Sequence, residues 1–159
     1  MKKINDKEYL EIVKFILEND EFLKRKKYKH HGNISVYDHC LKVSYVSYKY
    51  AKKFGLNKYD AAIGGLLHDF YYKPWTESIE KKNFFEKHGF VHAREALENS
   101  RIHFKDNLNS VREDIILKHM FPLNIKIPKY RETWLIVIVD KCVSMEVLLQ
   151  PKFFKDMFK

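Results

Sequence analysis

At 159 residues, 45% hydrophobic and 15% aromatic, the chain is long enough for one sizeable core and too apolar for a disordered one. Its 5 Gly and 4 Pro leave little room for a turn-rich all-β fold. The net charge of +9 suits an anionic partner such as a nucleotide, a nucleic acid or an anionic surface, although lysines spread along nearly every helix raise that charge without making a site.

The longest apolar run, Trp134 to Val139, is far below the roughly 18 residues of a membrane span. No apolar segment follows the charged N-terminus. Two cysteines, Cys40 and Cys142, without paired spacing fit a reducing compartment, so the expectation is a cytoplasmic protein that does not engage a membrane.

The hydrophobic pattern is helical nearly throughout. Asp6 is placed to N-cap a first helix carrying Tyr9, Ile12, Val13 and Ile16 at helical spacing. A basic segment, Lys24 to Lys29, leads to His30-His31 and ends at Gly32-Asn33; it reads as a solvated linker or as a contact for a polyphosphate tail. Ser35 opens a long helix, with Asp38 three residues on as in a capping box and Gly55 as the stop. Asn57 caps the next helix, which runs to His68-Asp69 and stops before Lys73-Pro74.

After a loop around Trp75, helices are expected from about His88 to His103 and from about Asn109 to Met120. A Pro-flanked connection leads into a last long helix from about Lys129 to Leu149, and Pro151 sets off a short amphipathic tail. No repeat or linker divides the chain. The expected fold class is all-α: a compact single-domain helical bundle over 1–159, with its core at about 33–149.

Polar residues on the buried stripes carry the chemistry. Val36, His39, Val43, Val46 and Tyr50 share one stripe, so His39 faces the core. The stretch GGLLHDFYY, from Gly64 to Tyr72, ends an apolar helix in a His-Asp pair. His68 lies over Gly64 and Ala61, and Asp69 over Gly65 and Ala62, a surface of small residues that lets another helix come close. Each interior Gly costs about 1 kcal/mol relative to Ala, which close packing would offset.

Asp140 sits in mid-helix on a stripe with Thr133, Ile136, Val143 and Val147. A buried carboxylate needs a metal, an Arg or Lys from another helix, or several donors. His119 shares a stripe with Val111 and Ile115; His92 lies with Ala96, and His88 stands one turn before it. Together these put ionisable residues on the inner faces of five successive helices, which is how a bundle builds a metal site.

A His on one helix, a His-Asp pair ending the next and a distant Asp on a late helix resemble the HD-domain superfamily of metal-dependent phosphohydrolases, over about Asn33 to Leu149. The additional His92 and His119 resemble its dinuclear branch, which includes cyclic-dinucleotide phosphodiesterases, HD-type diadenosine tetraphosphate hydrolases and a few diiron oxygenases. The resemblance implies that His39, His68, Asp69 and Asp140 hold one divalent metal ion, and that Asp69 bridges to a second completed by His92 and His119. Two ions per chain are expected, Fe or Mn in preference to Zn.

The implied reaction is cleavage of a phosphoester in a nucleotide or other small phosphorylated metabolite by a metal-activated hydroxide. Asp69 and His68 stand at the reacting centre, with His88 orienting a phosphate or moving a proton. Lys73, Arg94 and Lys118 are the expected substrate contacts. Two departures qualify the likeness: the dyad continues as HDFYYK where many relatives read HDIGK, so Tyr72 stands at the usual Lys and Lys73 one residue later, and the Gly-Tyr-Pro motif of the cyclic-di-GMP enzymes is missing. The same residues also suit a diiron oxygenase of this fold. The +9 charge suits a nucleic-acid or regulatory binding module with a structural metal site, although no interleaved aromatic-basic stripe supports it.

Overall fold

The computed structural model describes residues 4–30, 34–71 and 84–148, apart from the side chains of 84–90 and 146–148. These residues form seven α-helices: α1 (Lys7–Leu17), α2 (Asp20–Leu23), α3 (Val36–Phe54), α4 (Lys58–Leu67), α5 (Phe84–His103), α6 (Ser110–Lys118) and α7 (Arg131–Leu148). Short 3-10 turns lie at Lys24–Lys27 and Lys105–Asn107. An isolated antiparallel bridge joins Lys29 to Ser35. The all-α expectation is met, and among the described residues no helix is long and apolar enough to cross a membrane.

The helix boundaries follow from their caps. Asp6 accepts from the Tyr9 amide at 3.1 Å and starts α1. Ser35 accepts from the Asp38 amide at 3.0 Å and donates its hydroxyl to the Asp38 carboxylate at 2.6 Å, starting α3. Gly55 ends α3 in the left-handed region at φ 65°, where a side chain would be strained. Asn57 caps α4 through the Tyr59 and Asp60 amides, and Asn109 caps α6 through the Arg112 amide. Each such cap contributes about 1 kcal/mol.

Three expectations change. The basic segment at 24–29 is partly helical, and Arg25 within it is fully buried, its guanidinium 4.6 Å from the Phe70 ring centre. The α3 stripe holds at Val36, His39 and Val43 but then turns: Ser47, Tyr48 and Ala51 become buried, while Tyr50 is 44% exposed. Steps of three and four drift around a helix of about 3.6 residues per turn. Finally, α5 begins at Phe84, a turn earlier than expected. The loop around Trp75 and the tail after Pro151 lie outside the described residues.

Helix α3 packs along α4 and α7, while α6 bridges α4, α5 and α7. One apolar cluster, including Tyr9, Phe22, Val36, Leu66, Leu67 and Phe70, joins α1 and α2 to α3 and α4. A second, Val43, Ile115, Ile136, Val139 and Val143, joins α3, α6 and α7. The polar cluster described below stands at the ends of α4 and α6.

The two α4 glycines have the packing role expected of them. A Cβ on Gly65 would stand 2.7 Å from the Cα of Ser44 on α3, and one on Gly64 would stand 2.7 Å from Cδ1 of Ile115 on α6. The Ser44 hydroxyl donates to the Ala62 carbonyl at 2.6 Å and accepts from Tyr9 Oη at 2.9 Å, which ties α1, α3 and α4 together. Gly65→Ala is therefore expected to destabilise the chain by about 1–3 kcal/mol through overpacking, despite its better helix propensity. Gly64→Ala should cost less, because the end of the Ile115 side chain can move. Urea denaturation of both variants checks this, and a Gly65→Ala chain as stable as wild type would show that α3 and α4 do not need the close approach.

Candidate metal centre

The dyad sits where α4 ends. His68 keeps helical dihedrals, φ −57° and ψ −36°, just beyond Leu67, so it and Asp69 project from the last turn toward α3. There His68 Nε2 lies 3.3 Å from His39 Nε2, 3.4 Å from Asp69 Oδ2 and 3.7 Å from Asp140 Oδ1. His39 Nε2 is 2.9 Å from Asp140 Oδ1, across 101 residues of sequence. Neither a lysine nor an arginine takes this role: among the described residues the ion-pair partners of Asp140 are imidazoles.

The other oxygen of Asp69 faces a second set. Its Oδ1 is 3.0 Å from His92 Nε2 on α5 and 3.3 Å from His119 Nε2 at the end of α6, and these two nitrogens are 3.3 Å apart. The six residues His39, His68, Asp69, His92, His119 and Asp140 are thus brought together from five helices, the two carboxylates among five imidazoles once His30 is counted.

Backbone contacts aim the imidazoles. His68 Nδ1–H donates to the Gly65 carbonyl at 2.7 Å, and His119 Nδ1–H donates to the Ile116 carbonyl at 2.9 Å. Each bond sets the tautomer and leaves Nε2 as the inward-facing ligand atom, the arrangement that metal-binding histidines use.

Burial and charge act in opposite directions here. Burial pushes His39 down to about 4 and lowers His119, so both are neutral imidazoles at pH 7. For Asp140, burial disfavours the anion, but hydrogen bonds from His39 and His68, with the charge of His68 beside it, hold the carboxyl far below the usual range. Asp69 is likewise held ionised against burial, by the charge of His68 and by contacts with His119 and His30. Burial also disfavours a charge on His68, but the Asp69 charge together with hydrogen bonding to Asp140 and Asp69 raises it well above an ordinary imidazole.

This donor set fits a divalent cation. The ligand atoms of His39, His68 and Asp140 all lie within 4.8 Å of one another, as do those of His68, Asp69 and His119 and those of His30, His39 and Asp69. Two buried carboxylates are kept ionised here among clustered imidazoles, and mixed nitrogen and oxygen donors suit first-row metals.

The other expected residues are more dispersed. Arg94, two residues beyond His92, is exposed. Lys118 pairs its ammonium with Asp114 one turn back, and Lys141 donates to the Phe121 carbonyl. His88 lies on α5 one turn before His92, with its side chain outside the described residues, and Lys73 lies outside them altogether. Cys40 is buried and Cys142 exposed, both as free thiols.

One residue joins the cluster that the stripes did not reveal. His30 Nε2 lies 3.1 Å from Asp69 Oδ2, and its ring stacks on His39 with centroids 3.9 Å apart. It stands in an extended segment, where helical periodicity carries no information. The available signal was proximity: a His-His pair nine residues before His39.

An all-α bundle that converges buried His and Asp side chains from several helices is the architecture of a metal-binding helical domain. A family model described as the HD domain matches residues 36–145, well over half of the chain, and the chain belongs to the HD-domain family. That family is of the metal-dependent hydrolase type and binds divalent metals. No match was found among curated proteins or among solved structures.

The raised basicity of His68 gives a prediction with a definite sign. A histidine held well above 6.5 carries its proton at pH 7 and must lose it to become a ligand. Divalent metal binding at pH 7 is expected to release about one proton per chain. Calorimetric titration in buffers of different ionisation enthalpy measures this, and binding heats independent of the buffer would show that His68 is already neutral.

Proposed function

We propose that this protein is a metal-dependent phosphohydrolase with a dinuclear centre, cleaving a phosphoester of a nucleotide or another small phosphorylated metabolite. The observation that carries the reading is the division of the Asp69 carboxylate: Oδ2 faces His39 and His68 at 3.8 and 3.4 Å, while Oδ1 faces His92 and His119 at 3.0 and 3.3 Å. A carboxylate with separate imidazole partners on its two oxygens is suited to bridging two ions.

His39, His68, Asp69 and Asp140 would hold one ion, and Asp69, His92 and His119 the other. Bound there, the ions would neutralise the phosphoryl oxygens and make hydroxide available near neutral pH, so that no side-chain nucleophile is required. The chain's own residues hold and orient. The bonds from His68 to Gly65 and from His119 to Ile116 keep both rings aimed inward, and the core beneath them excludes water from that side.

His92, with 20% of its side chain exposed against 0% for His68 and 1% for His119, marks the side from which a substrate would approach. To His88 we assign the orienting of a phosphate or the movement of a proton, and to Arg94 and Lys73 contacts with a phosphate. Lys118 would serve only by exchanging Asp114 for the substrate. The +9 charge supports an anionic substrate, which we take to be a nucleotide.

Protein purified without chelators is expected to carry about two Fe, Mn or Zn ions per chain and to hydrolyse members of a phosphoester panel. Asp69→Ala should reduce hydrolysis to the uncatalysed level; full activity in that variant would overturn the reading. Turnover of an organic substrate that stops under anaerobiosis would assign the same ligands to a diiron oxygenase. Salt-sensitive RNA or DNA binding without hydrolysis would assign a binding module.

A further inference from the structure

The matched family segment begins at residue 36, yet a residue outside it reaches the centre. His30 is placed there by several independent contacts. Its segment is tied to the start of α3 by two backbone hydrogen bonds, His30 N–H to Ile34 O at 2.9 Å and Val36 N–H to Tyr28 O at 2.8 Å. The Lys29–Ser35 bridge lies between them. The imidazole then lies flat on His39, 3.9 Å between centroids and 9° between planes, with Nε2 directed at Asp69 Oδ2. The ligand atoms of His30, His39 and Asp69 lie within 4.8 Å of one another. Two donors each about 2.1 Å from one ion are no more than about 4.2 Å apart, so a shared ion requires this set to tighten and one of the two stacked rings to turn, because an imidazole nitrogen binds a metal in the plane of its ring.

Building on the dinuclear reading above, we propose that His30 is itself a metal ligand, the fifth protein donor to the ion held by His39, His68, Asp69 and Asp140. The two ions are then unequal. The first would have five protein donors. Among the described residues the second would have three, Asp69, His92 and His119, and so would be the one with positions left for a substrate phosphate, as in reactive metal sites. His92, whose side chain is 20% exposed, stands at that end of the cluster.

The alternative role for His30 is to position Asp69 by a hydrogen bond, and one pair of variants separates the two. Gln can keep that hydrogen bond but ligates weakly, so His30→Gln should behave like His30→Ala if His30 is a ligand and like wild type if it is a positioning residue. The metal-free chain is titrated with Co²⁺, followed by calorimetry and by visible absorption, and thermal midpoints are compared with and without metal.

In both variants one of the two affinities is expected to fall by at least about tenfold, with an altered Co²⁺ absorption band. The other affinity should stay within about threefold, and the metal-free midpoint should stay near that of wild type. Unchanged affinities and spectra in both variants, or restoration of wild-type binding by Gln, would overturn the proposal. A wild-type chain that binds one ion, still weakened by both substitutions, would sink the dinuclear reading and uphold His30 as a ligand. A wild-type chain that binds none would overturn both.

Discussion

Gly65 lies so close to the Ser44 backbone that a methyl group would not fit between them, and this contact sets the distance between α3 and α4. The chain turns at Gly55–Asn57, so the two helices run antiparallel. From that contact, five residues back along α3 and three forward along α4 lead to His39 and His68. At about 1.5 Å of rise per residue both lie a turn or so away in the same direction. The same contact that closes the core therefore brings the first two imidazoles within 3.3 Å. Tyr9 and Ser44 lock it from the α1 side.

The remaining donors depend on how α6 is held. At its start, Asp60 of α4 accepts from Arg112 Nε at 2.7 Å and from Asn109 Nδ2 at 2.9 Å. Within it, Asp114 accepts from Thr133 Oγ1 at 2.7 Å and from the Lys129 amide at 3.0 Å, fastening the approach to α7. Held by these contacts, α6 delivers His119 at its C-terminal end, and α7 delivers Asp140 two turns beyond Thr133. Polar networks with every partner in place are directional, which an apolar core alone is not. They give the bundle a defined register at the site.

Charge is distributed with the same economy of position. The chain carries +9, but the lysines adjoining the donors in sequence are engaged elsewhere, Lys118 by Asp114 and Lys141 by the Phe121 carbonyl. The two central carboxylates are left to imidazoles, whose Nε2 atoms can exchange a proton for a metal. The contrast between His39 and His68 follows from place: both are buried, but His68 adjoins the Asp69 carboxylate, and that charge combined with hydrogen bonding to Asp140 and Asp69 raises it despite its desolvation.

Much of this was legible in the chain because helices report themselves through period and caps. Asp6, Ser35, Asn57 and Gly55 set boundaries by hydrogen bonding and backbone strain within a few residues, and the structure keeps them. Polar residues on apolar stripes had to be buried with partners, which singled out His39, His119 and Asp140 before any contact was known. Tertiary structure decided what a stripe cannot carry. The stripe of α3 rotates past Tyr50, Lys118 turns to Asp114, and the two oxygens of Asp69 face different imidazoles. His30 enters from an extended segment held by backbone bonds to the start of α3, where no period exists to read. Local sequence determines which face of a helix is wet; which atoms meet at the centre is settled by how those faces pack.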